Sequence, residues 1–275
     1  MVARVVSTSP CGAGQLLYAT VLTQYLDAGI PVYGLPFRIH VGDPLPTTVY
    51  EMAERLVRMI RIAQPCGPYY LAGWSFGGTL AYEIATQLIT KGDTVGFLGL
   101  LDTEYAAGAS TVSEWPTDVR HRLLCELERW DLEGETTSDN DIRLNIAELK
   151  RQVSRMNFAT LLQTCRDQGL LPSPLTELSD QEIEYYLAIE HSFHLADIRY
   201  RTEPIPIPIH LFSAQDPEPV DRLRGWGAIL PQHLIHVIPI YGTHISMLRS
   251  PHLRGLGRIL SHLIRMTIRN ELSSP

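Results

Sequence analysis

Ser75 is the residue around which chemistry can be organised. It sits in the turn Gly73-Trp74-Ser75-Phe76-Gly77, a Gly-x-Ser-x-Gly pattern that joins a short apolar run to a helical one. A serine hydroxyl at its ordinary pKa attacks poorly, so it must be exposed on a sharp turn, beside a base and under donors for the developing oxyanion. Glycines at 73 and 77 suit such an elbow, where strand and helix approach too closely for side chains. The alternative reading is a serine that merely caps a helix after a Gly-rich turn.

The flanking sequence supports the elbow. Tyr69 to Ala72 read as a buried strand after the turn signal Pro65-Cys66-Gly67-Pro68, and Thr79 to Leu88 read as a helix ending before Lys91-Gly92. A base and an acid are then needed downstream. The apolar run Thr94 to Leu101 has strand length and ends in Asp102, and a carboxylate at the carboxyl end of a strand lies where open α/β sheets place their chemistry. The strand expected at Leu234 to Ile240 is followed by Tyr241-Gly242-Thr243-His244 and a helix, which puts His244 on a loop as a base requires. The order Ser75, Asp102, His244 is that of the α/β-hydrolase arrangement.

The elements that must position these residues alternate. Strands are expected at 2–8, 31–35, 69–73, 95–101, 207–213 and 234–240, and helices at 14–27, 47–64, 76–91 and 251–269. Such alternation predicts an α/β fold with a mostly parallel central sheet. From about 105 to 200 no strand-like run appears; helical periodicity takes over, broken at Glu133-Gly134 and at Pro172-Ser173-Pro174. Residues 104 to 200 hold 18 acidic and 9 basic side chains, a net of -9, while the whole chain is -7, so the remainder is about +2. The expectation is a single domain, 1–275, with a helical lid inserted at about 105–200 that opens and closes over Ser75.

Composition bounds the class. At 275 residues and 45% hydrophobic, the chain can bury one large core. Its four cysteines, Cys11, Cys66, Cys125 and Cys165, are widely spaced, which suggests neither a disulfide scaffold nor a thiolate metal site. The pairs His191/His194 and His233/His236 lack further ligands nearby in sequence, so no metal is expected. The acidic total argues against nucleic acid, and no stretch has signal-peptide or membrane-span character, so a cytoplasmic enzyme is expected. In the last helix Arg254, Arg258, Arg265 and Arg269 share one stripe, opposite Leu253, Leu256, Leu260, Leu263 and Ile264, which predicts an amphipathic surface helix.

Taken together, Gly73-Trp74-Ser75-Phe76-Gly77-Gly78, Leu100-Leu101-Asp102 and Gly242-Thr243-His244-Ile245-Ser246-Met247-Leu248 resemble the thioesterase domains that end nonribosomal peptide synthetases, with polyketide synthase thioesterases as relatives. Ser-Pro-Cys-Gly-Ala-Gly at 9–14 is similar to that family's oxyanion loop, and Pro206 to Ala214 to its strand after the lid. The resemblance implies an oxyanion hole from the backbone amides of Cys11 and Phe76. It also favours Asp102 as the acid over Asp216, which stands after the next strand in Ser213-Ala214-Gln215-Asp216-Pro217. The substrate so implied is a peptide or polyketide thioester on the phosphopantetheine arm of a peptidyl or acyl carrier protein, with no cofactor held by the chain itself. Release through acyl-Ser75 ends in hydrolysis or macrocyclisation. A stand-alone type II editing thioesterase would use the same triad, but its elbow more often reads Gly-His-Ser-Met-Gly, so Trp74 and Phe76 favour the terminal type. A general carboxylesterase or lipase is disfavoured because the oxyanion loop lacks a His-Gly-Gly-Gly run. A non-catalytic acyl-binding module is the reading from another class.

Overall fold

The computed structural model describes residues 3–7, 22–27, 29–37, 39, 42–105, 116–132 and 140–273. Six strands, β1 (Ala3–Ser7), β2 (Val32–Pro36), β3 (Tyr69–Trp74), β4 (Val95–Leu101), β5 (Ile209–Ala214) and β6 (Ile235–Ile240), form one sheet in the order β2-β1-β3-β4-β5-β6. Each neighbouring pair is parallel. β2, β5 and β6 begin later than the sequence suggests; β2 follows Pro31 and β5 follows Pro208, because proline has no N–H to give to the ladder, and Leu234 belongs to a tight turn before β6.

The helices of the sheet region are α1 (Val49–Ala63), α2 (Phe76–Thr90) and α8 (His252–Ser273). The Thr48 hydroxyl caps α1 by accepting from the Glu51 amide at 3.1 Å. α2 is buried along most of its length. α8 presents Leu253, Leu256, Leu260 and Ile264 to a core shared with Tyr70, Phe97, Leu101 and Phe212, while its four stripe arginines stay exposed. Burying each such side chain is worth roughly 1.5–3 kcal/mol, so the leucine face fixes the helix and the arginine face is left to solvent. Of the helix expected at 14–27, residues 14–21 lie outside the described residues; Leu22 and Thr23 are helical and the chain then turns, with the amides of Tyr25 and Leu26 both donating to Leu22 O.

The chain divides into two compact units: Met1–Arg38, Pro46–Val112 and Leu195–Pro275 form one, Ile39–Leu45 and Ser113–His194 the other. The second holds α3 (Val119–Leu132), α4 (Asn140–Gln152), α5 (Phe158–Asp167), the short α6 (Ser173–Thr176) and most of α7 (Asp180–Arg199), whose last turn belongs to the first unit. Within this unit the Tyr185 hydroxyl donates to Asp43 O at 2.8 Å, a tie to the 39–45 segment that no sequence pattern announces. Its interior also holds Glu126, fully buried, whose carboxylate takes hydrogen bonds from Arg129, Trp130 Nε1 and Tyr186 OH.

Candidate active site

Ser75 follows β3 and precedes α2 with φ 54° and ψ -130°, a conformation that a residue with a side chain adopts only when its surroundings impose it. Two hydrogen bonds do so: the Ser75 amide donates to Leu101 O at 3.0 Å, and the Gly78 amide to Ser75 O at 2.9 Å. The elbow is as tight as the motif requires. A Cβ on Gly73 would lie 2.0 Å from Gly77 O, so Gly73 must be bare and Gly77 supplies the carbonyl it faces. Gly78 is as constrained, its missing Cβ falling 1.8 Å from Thr103 Oγ1.

Trp74 and Leu101 are paired across β3 and β4, so the next residues, Ser75 and Asp102, emerge side by side at the carboxyl edge of the sheet. Asp102 is itself at positive φ, 48°, and its amide donates to Phe212 O at 2.7 Å. Its side chain is only 3% exposed. Oδ2 lies 2.7 Å from His244 Nδ1, and Oδ1 accepts from the Ala214 amide at 2.7 Å while forming an ion pair with Arg224. Burial pushes this carboxyl up, but His244, the Ala214 amide and the Arg224 guanidinium outweigh it and hold it below the usual aspartate range. Asp102 is therefore an anion at neutral pH.

His244 stands on the loop after β6, with a side chain 41% exposed. Thr243 and Ser246 brace that loop reciprocally, the Thr243 amide donating to Ser246 Oγ at 2.8 Å and the Ser246 amide to Thr243 Oγ1 at 3.1 Å. The Trp74 ring stacks on the imidazole at 4.7 Å between centroids, and its Nε1 donates to His244 O at 3.1 Å. Trp74 thus connects the residue before the elbow to the histidine. With one ring nitrogen on a buried anion and the ring face covered, the imidazole has a fixed orientation and a defined tautomer.

The remaining expected positions fall as follows. Asp216 is exposed, and its amide donates to Gly242 O at 3.0 Å, a turn role ordinary for an aspartate before proline. Phe76 opens α2, so its amide lies at the positive end of that helix beside Ser75. Cys11 lies outside the described residues. Among the described residues no three His, Cys, Asp or Glu side chains gather as a metal site. His236 meets His210 edge-on at 5.2 Å, and His210 stacks on Phe97; burial, with His236 beside it, pushes His210 down to about 4. No helix among the described residues is long and apolar enough to cross a membrane.

Arg224 was not visible as a site residue, since its only signal is distance: it reaches Asp102 from a loop between β5 and β6 that carries no motif. The Ala214 amide and the packing role of Trp74 are likewise products of folding. Of the two, Trp74 alone had a trace in sequence, as the residue before the nucleophile.

Residues 5–136 match the model of the Thioesterase domain family. Vanchrobactin synthetase VabF of Vibrio anguillarum is 28% identical over 252 residues, 89% of this chain and 8% of VabF. The non-reducing polyketide synthase PFUR17_0229 of Pseudevernia furfuracea is 43% identical over 96 residues, 34% of this chain and 4% of the synthase. The chain therefore spans less than a tenth of either relative. Among solved structures, the NocB thioesterase domain in covalent complex with a fluorophosphonate nocardicin G analog superposes with a TM-score of 0.60 at 23% identity, covering all of this chain and 96% of that domain. The chain is thus similar in sequence to the Thioesterase domain family over residues 5–136 and to parts of peptide and polyketide synthases, and similar in fold to solved thioesterase domains.

Proposed function

We propose that this protein is a serine thioesterase that releases an acyl or peptidyl chain from the phosphopantetheine thioester of a carrier protein. The observation that carries the reading is the Asp102–His244 pair, 2.7 Å apart, on the same sheet edge as a serine held at φ 54°. His244 takes the Ser75 proton as the hydroxyl oxygen attacks the thioester carbonyl, and Asp102 orients the ring and stabilises the imidazolium. The oxyanion is assigned to the backbone amides of Phe76 and Cys11. Collapse breaks the carbon–sulfur bond; His244 returns its proton to the departing thiolate, and the chain is left as an ester on Ser75. Water then gives a free acid, or an amine or hydroxyl of the chain itself gives a ring, with His244 again taking the attacker's proton. The helical insertion is read as the lid that limits water during that second step, on its place in the chain directly after the strand bearing Asp102. The phosphopantetheine belongs to the carrier and is substrate, not a resident cofactor.

The test is turnover of an acyl thioester with a small or carrier-borne thiol, followed by free-thiol release, on wild type and Ser75→Ala. The reading expects release only from wild type, with an acyl adduct on the peptide containing Ser75. Equal rates for both proteins would refute it.

A further inference from the structure

The Asp102 carboxylate has two oxygens, and only one faces His244. The other is held from the opposite side by Arg224, whose setting is unusual for a surface-loop arginine. Its side chain is 16% exposed, its Nε donates to the buried Ser213 Oγ at 3.0 Å, and Nη2 donates to Ala214 O at 3.2 Å beside the ion pair with Asp102 Oδ1. Its backbone is in the left-handed region, φ 47°, which a side-chain-bearing residue adopts at a cost of roughly 1 kcal/mol or more.

The loop that imposes this conformation is tied to the chain that carries Asp102. Asp221 caps it, accepting from the Leu223 amide at 2.9 Å and the Gly225 amide at 2.6 Å. The Tyr105 amide donates to Arg224 O at 2.8 Å, and the fully buried Trp226 donates from Nε1 to Thr103 O at 2.9 Å. Thr103 and Tyr105 follow Asp102 directly, so loop and acid are one braced assembly, with the Trp226 ring packed on Tyr82 and Tyr105. A strained backbone and a guanidinium spent on three partners are more than solubility or loop closure requires.

We propose that Arg224 is a positioning residue for the reaction: it fixes the Asp102 carboxylate in the rotamer that meets His244 Nδ1, and it offsets part of the negative charge that the carboxylate presents to the imidazole. The charged groups gathered at this point are few. Asp102 and His244 face each other, Arg224 stands behind Asp102, Asp221 is directed to the loop amides, and His252 lies beside Gly242 of the His244 loop. Arg224 is thus the cation against the acid. An unopposed carboxylate favours the imidazolium more strongly, so removal of the guanidinium leaves less of the free base at a given pH.

This inference rests on the proposed thioesterase reading, and the experiment separates the two. Initial rates of thiol release from one acyl thioester are measured from pH 5 to 9 for wild type, Arg224→Gln, Arg224→Lys and Ser213→Ala, with thermal unfolding recorded for each. Arg224→Gln is expected to lose about tenfold in kcat with KM little changed, and to move the acid limb of the profile upward by about half a pH unit or more. Arg224→Lys should recover most of the limb position but less of kcat, because a lysine keeps the charge and not the fork. Ser213→Ala, which removes one of the guanidinium's holds without touching its charge, should lower kcat slightly with the limb in place, and it serves if Arg224→Gln does not fold. A folded Arg224→Gln whose profile superposes on wild type, or a Ser213→Ala with unaltered kcat should Arg224→Gln not fold, would overturn the role of Arg224. Absence of turnover by wild type would instead count against the thioesterase reading.

Discussion

Both units of the molecule bury carboxylates, Glu83 and Asp102 in one and Glu126 in the other, and Asp102 and Glu126 are kept in different company. Glu126 in the helical unit is fully buried, and two of its partners, Arg129 and Trp130, lie one turn along its own helix, with Tyr186 from α7 closing the cluster. Asp102 in the sheet unit is nearly as buried, but its partners come from three separate later segments: Ala214 at the end of β5, Arg224 in the next loop and His244 after β6. Burial and pairing are common to both. The difference is that Asp102 faces an imidazole that is 41% exposed and stacked on Trp74, the residue before Ser75, whereas the partners of Glu126 are one arginine and two neutral donors. A buried acid is a structural pin unless one of its partners can carry a proton to the outside.

That contrast is sharpest under isosteric substitution. Asp102→Asn should lower kcat on the order of 10⁴-fold while leaving the fold intact, because loss of an orienting carboxylate leaves the wrong imidazole tautomer. Asp216→Asn, in the exposed turn, should stay near the wild-type rate. A crippled Asp216→Asn beside a nearly normal Asp102→Asn would reverse the assignment of the acid. Glu126→Gln should leave kcat per folded molecule little changed and cost about 1–2 kcal/mol in denaturant unfolding, since Arg129, 36% exposed, loses its pair with the buried Glu126 while that with Glu190 at 3.9 Å stays. A large kcat loss without loss of stability would show that the helical unit's acid is more than a pin.

Asp197 tests the rule at its weak end. Asp197, in the last turn of α7, is pushed up to about 7 by burial, and the charge near it is the like charge of Glu104. Its folded-state value lies above its unfolded value near 3.8, so between about pH 4 and 7 the folded state binds more protons and stability falls as pH rises. Asp197→Asn should remove that slope, gaining on the order of 4 kcal/mol over wild type between pH 4 and pH 8. Parallel stability curves for the two proteins would show that Asp197 is ionised at no cost.

How much of this was legible in the sequence follows the range of the interactions. The sheet could be read because its strands are continuous apolar runs bounded by turn residues, and the elbow because Gly73 and the serine are adjacent in chain and in space. Asp102 and His244 could be placed on loops at strand ends, since Asp102 follows β4 directly and His244 follows β6 after Tyr241-Gly242-Thr243. The choice of Asp102 over Asp216 needed the family resemblance, because both stand after a strand and local pattern treats them alike. What could not be read was whatever depends on a side chain meeting a distant loop: Arg224 on Asp102, Trp74 on His244, Gly78 on Thr103, and the joining of Ile39–Leu45 to the helical unit.

The central claim is that Ser75 becomes covalently acylated. The most direct measurement is intact and peptide-level mass spectrometry of wild type, Ser75→Ala and Asp102→Asn, quenched within the first turnovers on an acyl thioester. The account predicts one acyl adduct on wild type, mapped to the peptide holding Ser75, slow adduct formation on Asp102→Asn and none on Ser75→Ala. An adduct that persists on Ser75→Ala, or wild-type turnover with Ser75 unmodified at every time point under conditions where deacylation is slow, would contradict it.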